Sequence, residues 1–177
     1  MKKYIVFLFF IITYPNLYSQ VNFKWDYIDS IPRTKDQIYS DAKLFISELW
    51  NSAKDVIQLD DKENGIIVIK GLTTNEMNFQ LNNHIWIYAY TVKLYMKDYK
   101  FRITIDNVHC ITAVCRGINW PLMPVADNYP EKKGRQLTGL DEKRYNSLMA
   151  ILKADLQLIV SKYVSHIKKT ENINNDW

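Results

Sequence analysis

From Val21 to Tyr27, apolar Val21, Phe23, Trp25 and Tyr27 alternate with Asn22, Lys24 and Asp26. A period of two predicts a half-buried strand, and Pro32 ends it. Thr34-Lys35-Asp36-Gln37 has the form of a capping box, in which the Thr hydroxyl and the Gln side chain satisfy free amides at a helix start. Ile38, Ala42, Phe45, Leu49 and Ala53 follow at helical spacing and predict an amphipathic helix over 35–53. Two Val/Ile-rich runs, 56–60 and 65–70, meet across Asp61 to Asn64, and the Asn64-Gly65 break reads as a hairpin turn. Residues 71–84 are polar, carry no clear period and read as a loop. A longer hairpin pairs 85–97 with 100–113 around Asp98-Tyr99. The stretch 114–140 holds three prolines with Gly117, Gly134 and Gly139, which predicts an irregular excursion. Tyr145, Met149, Leu152, Leu156, Ile159 and Tyr163 then mark a final helix over 141–165, before a polar tail.

The order is strand, helix, four strands, helix. It predicts a two-layer α+β domain: an antiparallel sheet of about five strands with two helices on one face. A two-residue turn at Asp98-Tyr99 pairs Met96 with Phe101, Leu94 with Ile103 and Val92 with Ile105. Continued through Tyr90, Tyr88 and Trp86, that side lies beneath the helices. The opposite, open side pairs Tyr95 with Arg102, Lys93 with Thr104 and Thr91 with Asp106, then Ala89 with Val108 and Ile87 with Cys110. In the short hairpin the same alternation puts Ile57, Leu59, Ile66 and Val68 inside and Val56, Gln58, Ile67 and Ile69 outside. Ile67, Ile69, Ile87 and Val108 on an open face call for a cover. The candidates are the 114–140 excursion with Trp120, Leu122 and Met123, a second subunit, or a ligand. A bulge near Asn107 would reverse the register.

The run IYSDAKLFISELWNSAKDVIQLDDKENGIIVIKG, followed by a hairpin ending in YKFRITID, resembles a family of exported bacterial proteins, domain of unknown function 4468. The shared pattern is Tyr39 in the first helix, Trp50 near its end, the turn Asp61, Lys62, Gly65, and a hairpin carrying Lys97, Asp98 and Arg102. The resemblance spans about residues 30–113 and implies a fold like that of the TATA-binding protein (TBP). Tyr99 departs from it, standing where a tight turn favours glycine. No established activity comes with the family, so function stays open.

The N-terminus adds a location. Lys2 and Lys3 precede an unbroken apolar run from Tyr4 to Ile12, and Thr13, Pro15, Asn16 and Ser19 end it. That is the layout of a secretory signal peptide over 1–19, too short for a membrane span of about twenty residues. It divides the chain into a leader, one domain over 20–165, and a tail over 166–177. The expected location is periplasmic or secreted, with no transmembrane anchor. Export permits disulfides, but Cys110 and Cys115 on one continuous strand lie about 16 Å apart on opposite faces, so two separate thiols are expected.

Composition narrows the chemistry. Of 177 residues 47% are hydrophobic, enough for a core, and the net charge is only +4, half of it from Lys2 and Lys3. Such a balance lacks the basic face that nucleic-acid binding requires. No HExxH, GxSxG, Walker or GxGxxG pattern occurs, and no cofactor or metal is implied. The acidic turn from Asp60 fails as a calcium loop: its third position is Lys62 and its twelfth Gly71. His109 is expected on the core side opposite Tyr88, His84 in a loop, and His166 in the tail. The best polar candidate is the open-face group Arg102, Lys93, Tyr95, Asp106 and Thr91, with Ile87 beyond it. There Arg102 is placed to grip a carboxylate bidentately. The leading expectation is a non-catalytic binding module for an envelope protein, peptide or glycan. The alternatives are a hydrolase using His109 or Cys110 with Asp106, and a structural accessory that assembles through sheet edges.

Overall fold

Residues 23–50, 52–79, 82–116, 118–119, 125–126, 131–132, 135–136 and 140–173 are described by the computed structural model. The expected leader over 1–19 and the proposed covering side chains Trp120, Leu122 and Met123 lie outside them.

Strand β1 (Trp25–Ser30) keeps the period of two, with Trp25, Tyr27 and Asp29 turned inward. Helix α1 (Lys35–Leu49) begins on the expected capping box, with Thr34 and Gln37 bonded reciprocally. It ends sooner than the spacing predicts. Trp50 is extended and sets its ring edge-on against Phe45 at 6.2 Å, so the chain turns down toward the sheet. Ala53 belongs to a separate short helix, α2 (Ala53–Val56), that leads into edge strand β2 (Ile57–Asp61).

The larger departure is β3 (Ile66–Phe79), which runs through the stretch expected as a loop and pairs along its length with β4 (Asn82–Lys97). Its polar residues conceal the alternation. Asn75 is buried and Thr73 half-buried, while Leu72, Thr74 and Glu76 are exposed. The inward pair is stable because Asp155 of the final helix accepts from Asn75 Nδ2 at 2.8 Å and Thr73 Oγ1 at 3.4 Å.

That pairing also corrects the short hairpin. β3 meets β4 with Ile67 opposite Leu94 and Ile69 opposite Val92, so Ile67 and Ile69 face the helices and are fully buried. Ile66 and Val68 take the open face, and Leu59 is exposed. With 71–84 taken for a loop, the long pairing with β4 that fixes the faces of β3 was not read, and the β2–β3 register shifts between Ile57 and Leu59.

β5 (Lys100–Cys115) follows the Asp98-Tyr99 turn in the expected register as far as Thr91 opposite Asp106. There Asn107 takes a positive φ of 53° and the pairing slips, with a second irregularity between Ile87 and Tyr88. Ala89 therefore faces His109, Tyr88 faces Cys110, and Ile87 faces Thr112. Val108 packs against the core, and Cys110 and Cys115 both come to the helix side as buried thiols.

The sheet is antiparallel, in the order β1-β5-β4-β3-β2, with β6 (Ile118–Asn119) beside the end of β5. A separate small ribbon joins β7 (Glu131–Lys132) to β8 (Arg135–Gln136). Helix α3 (Glu142–Ile173) buries Tyr163 as its spacing predicts and extends past the expected end, burying Ile167 where a polar tail was expected. Phe45, Phe101 and Tyr163 interlock edge to face, with ring centroids 5.2 and 5.6 Å apart. Both long helices pack on this one face, giving the two-layer α+β architecture.

Candidate functional site

The open face is built from alternate residues of four strands. At its polar end Arg102 lies between Tyr95 of β4 and Ile28 of β1. Its Nε and Nη2 donate to the two carboxylate oxygens of Asp26 at 2.7 and 2.5 Å. The guanidinium also sits 5.8 Å from the centre of the Tyr95 ring. Lys93 Nζ donates to Asp106 at 2.6 Å, and Thr91, opposite Asp106, is buried between strands. Thr104 adds a 3.4 Å bond to Asp26. The Arg102 guanidinium holds the Asp26 carboxyl below the usual carboxylate range. The Asp106 carboxylate raises the Lys93 ammonium above its ordinary value.

All six expected site residues, Arg102, Lys93, Tyr95, Asp106, Thr91 and Ile87, thus share one face. The missing member was Asp26. It occupies the bidentate fork that the sequence left open for an external carboxylate, and the alternation of β1 already turned it outward. Both charge pairs are compensated within the chain, so an incoming group meets a nearly neutral polar patch. Beside it the face is apolar, with Ile66, Val68, Ile85, Ile87, Ala89 and Val114 half-buried and Leu72 63% exposed.

The alternative hydrolytic set does not converge. The slip at Asn107 turns His109 out to solvent, where its Nδ1 lies 2.9 Å from the Asn107 carbonyl. Cys110 points to the other face and donates to the Thr112 carbonyl at 3.4 Å, and Asp106 is held by Lys93. His84, expected in a loop, is buried on β4 with its Nε2 3.4 Å from Cys115 Sγ and its ring stacked on Trp86. Burial pushes the His84 imidazole below its ordinary value. His166, expected in the tail, sits on α3 with Nδ1 3.2 Å from Glu48. Among the described residues no three His, Cys, Asp or Glu side chains gather as metal ligands, and no helix is long and apolar enough to cross a membrane.

Most of the motif residues gather elsewhere, where the start of α1 meets both hairpin tips. Asp98 Oδ1 accepts from Lys35 N at 2.7 Å, and Lys35 Nζ reaches the Glu63 carbonyl at 2.8 Å. Asp61 accepts from Asn64 N and Nδ2 at 3.0 and 2.7 Å, closing the turn before Gly65. Tyr39 donates to Asp60, as does Lys43. The pattern is a structural joint; of its members only Arg102 lies in the open-face group.

Residues 27–110 match the family described as domain of unknown function (DUF4468) with TBP-like fold. The fold is similar to that of a TBP-like protein from Parabacteroides distasonis ATCC 8503, with TM-score 0.58 and 10% identity over 87% of this chain and 96% of that one. It is also similar to a DUF4468 family protein from Bacteroides ovatus ATCC 8483, with TM-score 0.53 and 14% identity over 84% of this chain and 88% of the other. No curated protein matches the chain.

Proposed function

We propose, from the premise that residues 27–110 belong to the DUF4468 family with its TBP-like fold, that the chain is an exported, non-catalytic binding module of the bacterial envelope. Its partner is a protein that docks on the open face of the sheet. The observation that carries this reading is the apolar part of that face. Leu72, Ile85, Ile87 and Val114 line a sheet surface whose opposite side holds both long helices. Contiguous apolar surface of this kind is the usual mark of a protein contact. The Arg102–Asp26 and Lys93–Asp106 pairs form its polar rim. The basic and apolar N-terminal segment supports export.

The test is capture of partners from envelope extract by the mature chain, repeated with Ile87→Asp and Arg102→Ala. Ile87→Asp is expected to reduce capture at least tenfold, because it puts a charge in the apolar patch. Arg102→Ala is expected to weaken capture less and to change stability little, as loss of an exposed ion pair does. An unchanged captured set, with thermal melts showing both variants folded, would reject the open face as the binding surface.

A further inference from the structure

On the other side of the molecule, the outer flank of α3 carries a stripe that the core does not use. Ile151 and Leu158 stand seven residues apart and are 42% and 51% exposed. Lys162 and Lys169, also seven apart and exposed, continue the same stripe, each seven-residue step spanning about 10.5 Å. Beside it runs a groove of about 480 Å³ between α1 and α3, lined by Phe45, Glu48, Leu49, Leu158, Lys162 and Lys169 among others. His166 forms part of one wall, with its ring 5.7 Å from Phe45. No carboxylate among the described residues lies within ion-pair reach of Lys162 or Lys169.

We propose that this groove and stripe form a second docking surface, and that it takes an acidic amphipathic helix of another protein. Two apolar anchors seven apart followed by two cations seven apart match a helix that presents apolar residues and then carboxylates at the same spacing. A second copy of this chain fits badly. Packed parallel, α3 would set lysine against lysine; packed antiparallel with Ile151 against Leu158, it would set Lys162 against Ser147 and offer it no carboxylate. A single acyl anion fits badly too, because one carboxylate would have to serve two lysines whose backbones stand about 10.5 Å apart along the helix.

The proposal is independent of the open face and is tested with a random peptide display library selected on the intact chain. Enrichment of acidic amphipathic peptides is expected, with binding lost at least tenfold in Leu158→Glu. The double variant Lys162→Glu with Lys169→Glu should lose the acidic peptides and gain their charge-reversed, lysine-bearing counterparts. All three positions face solvent, so melting temperatures should stay within about 2 °C of the parent. Four outcomes would overturn the proposal: no enrichment; peptides indifferent to both variants; binding abolished by Ile87→Asp but not by Leu158→Glu; or laurate binding that Leu158→Glu abolishes while peptides fail. A mass that doubles with concentration and reverts in Leu158→Glu would also overturn it, in favour of self-association.

Discussion

Gly65 and Tyr99 occupy the same left-handed backbone region for different reasons. Gly65, at φ +64°, accepts from Met96 N at 2.8 Å, and a Cβ there would lie 2.3 Å from the Met96 carbonyl oxygen. Gly65→Ala should therefore cost about 2 kcal/mol or more in denaturant unfolding, combining left-handed strain with a backbone clash. Tyr99, at φ 63°, is 63% exposed, and its backbone is held by Ile31 N and the Arg33 carbonyl. Its side chain does nothing visible for the turn. Tyr99→Gly should raise stability by about 0.5–1 kcal/mol, relief of left-handed strain outweighing the added freedom of the unfolded chain. At this scale the sequence was informative. It placed both turns and marked Tyr99 as the departure from glycine, because turn chemistry is local. The Asp26–Arg102 fork was missed because its two residues are 76 positions apart.

Among the elements, α3 and β3 depart most from expectation. The register of β3 was illegible because Thr73 and Asn75 are polar yet face inward, satisfied by an aspartate 80 or more residues away. The end of α3 was illegible because His166 and Lys168 read as tail while Ile167 between them is fully buried. Ile167→Ala should cost about 2–4 kcal/mol by calorimetry or denaturant titration, as a buried truncation does. A frayed tail would tolerate it. Lys168 also reaches across to β1, where its Nζ lies 2.8 Å from Asp29 Oδ2. The Lys168 bond, with help from the Tyr27 hydroxyl and Ser30 amide, holds the Asp29 carboxyl down at about 2. The folded value lies below the unfolded one, so this contribution is fully present above about pH 4 and disappears as pH falls through about 2. Solvent screening limits it to about 1 kcal/mol. Asp29→Asn should flatten the stability profile between pH 4 and 2 and change nothing in its slope above pH 5.

At the scale of the whole molecule, the two-layer class and the polar half of the open face were legible, since regular alternation from Thr91 to Asp106 fixes both. The far half was not. The sequence named a bulge near Asn107 as the event that would reverse the register, and the slips beside Asn107 and Ile87 do exchange the faces of His109 and Val108. The same slips separate the side chains on which a hydrolytic reading depended. What persists is a molecule with two different exposed surfaces on opposite layers. One is a nearly neutral sheet with an apolar patch, and the other a helix flank with a net basic stripe.

The joint at the start of α1 has a kinetic consequence. Asp98 caps Lys35 across 63 residues, and Lys35 reaches the neighbouring turn at Glu63, so the first turn of α1 is completed only when both hairpin tips have arrived. Such a bond belongs to the end of folding, after the sheet has assembled. Asp98→Ala, which removes a cap worth about 1 kcal/mol, should speed unfolding about fivefold and leave the refolding rate unchanged in stopped-flow measurements. A refolding limb slowed by that factor would instead place the joint in the folding nucleus.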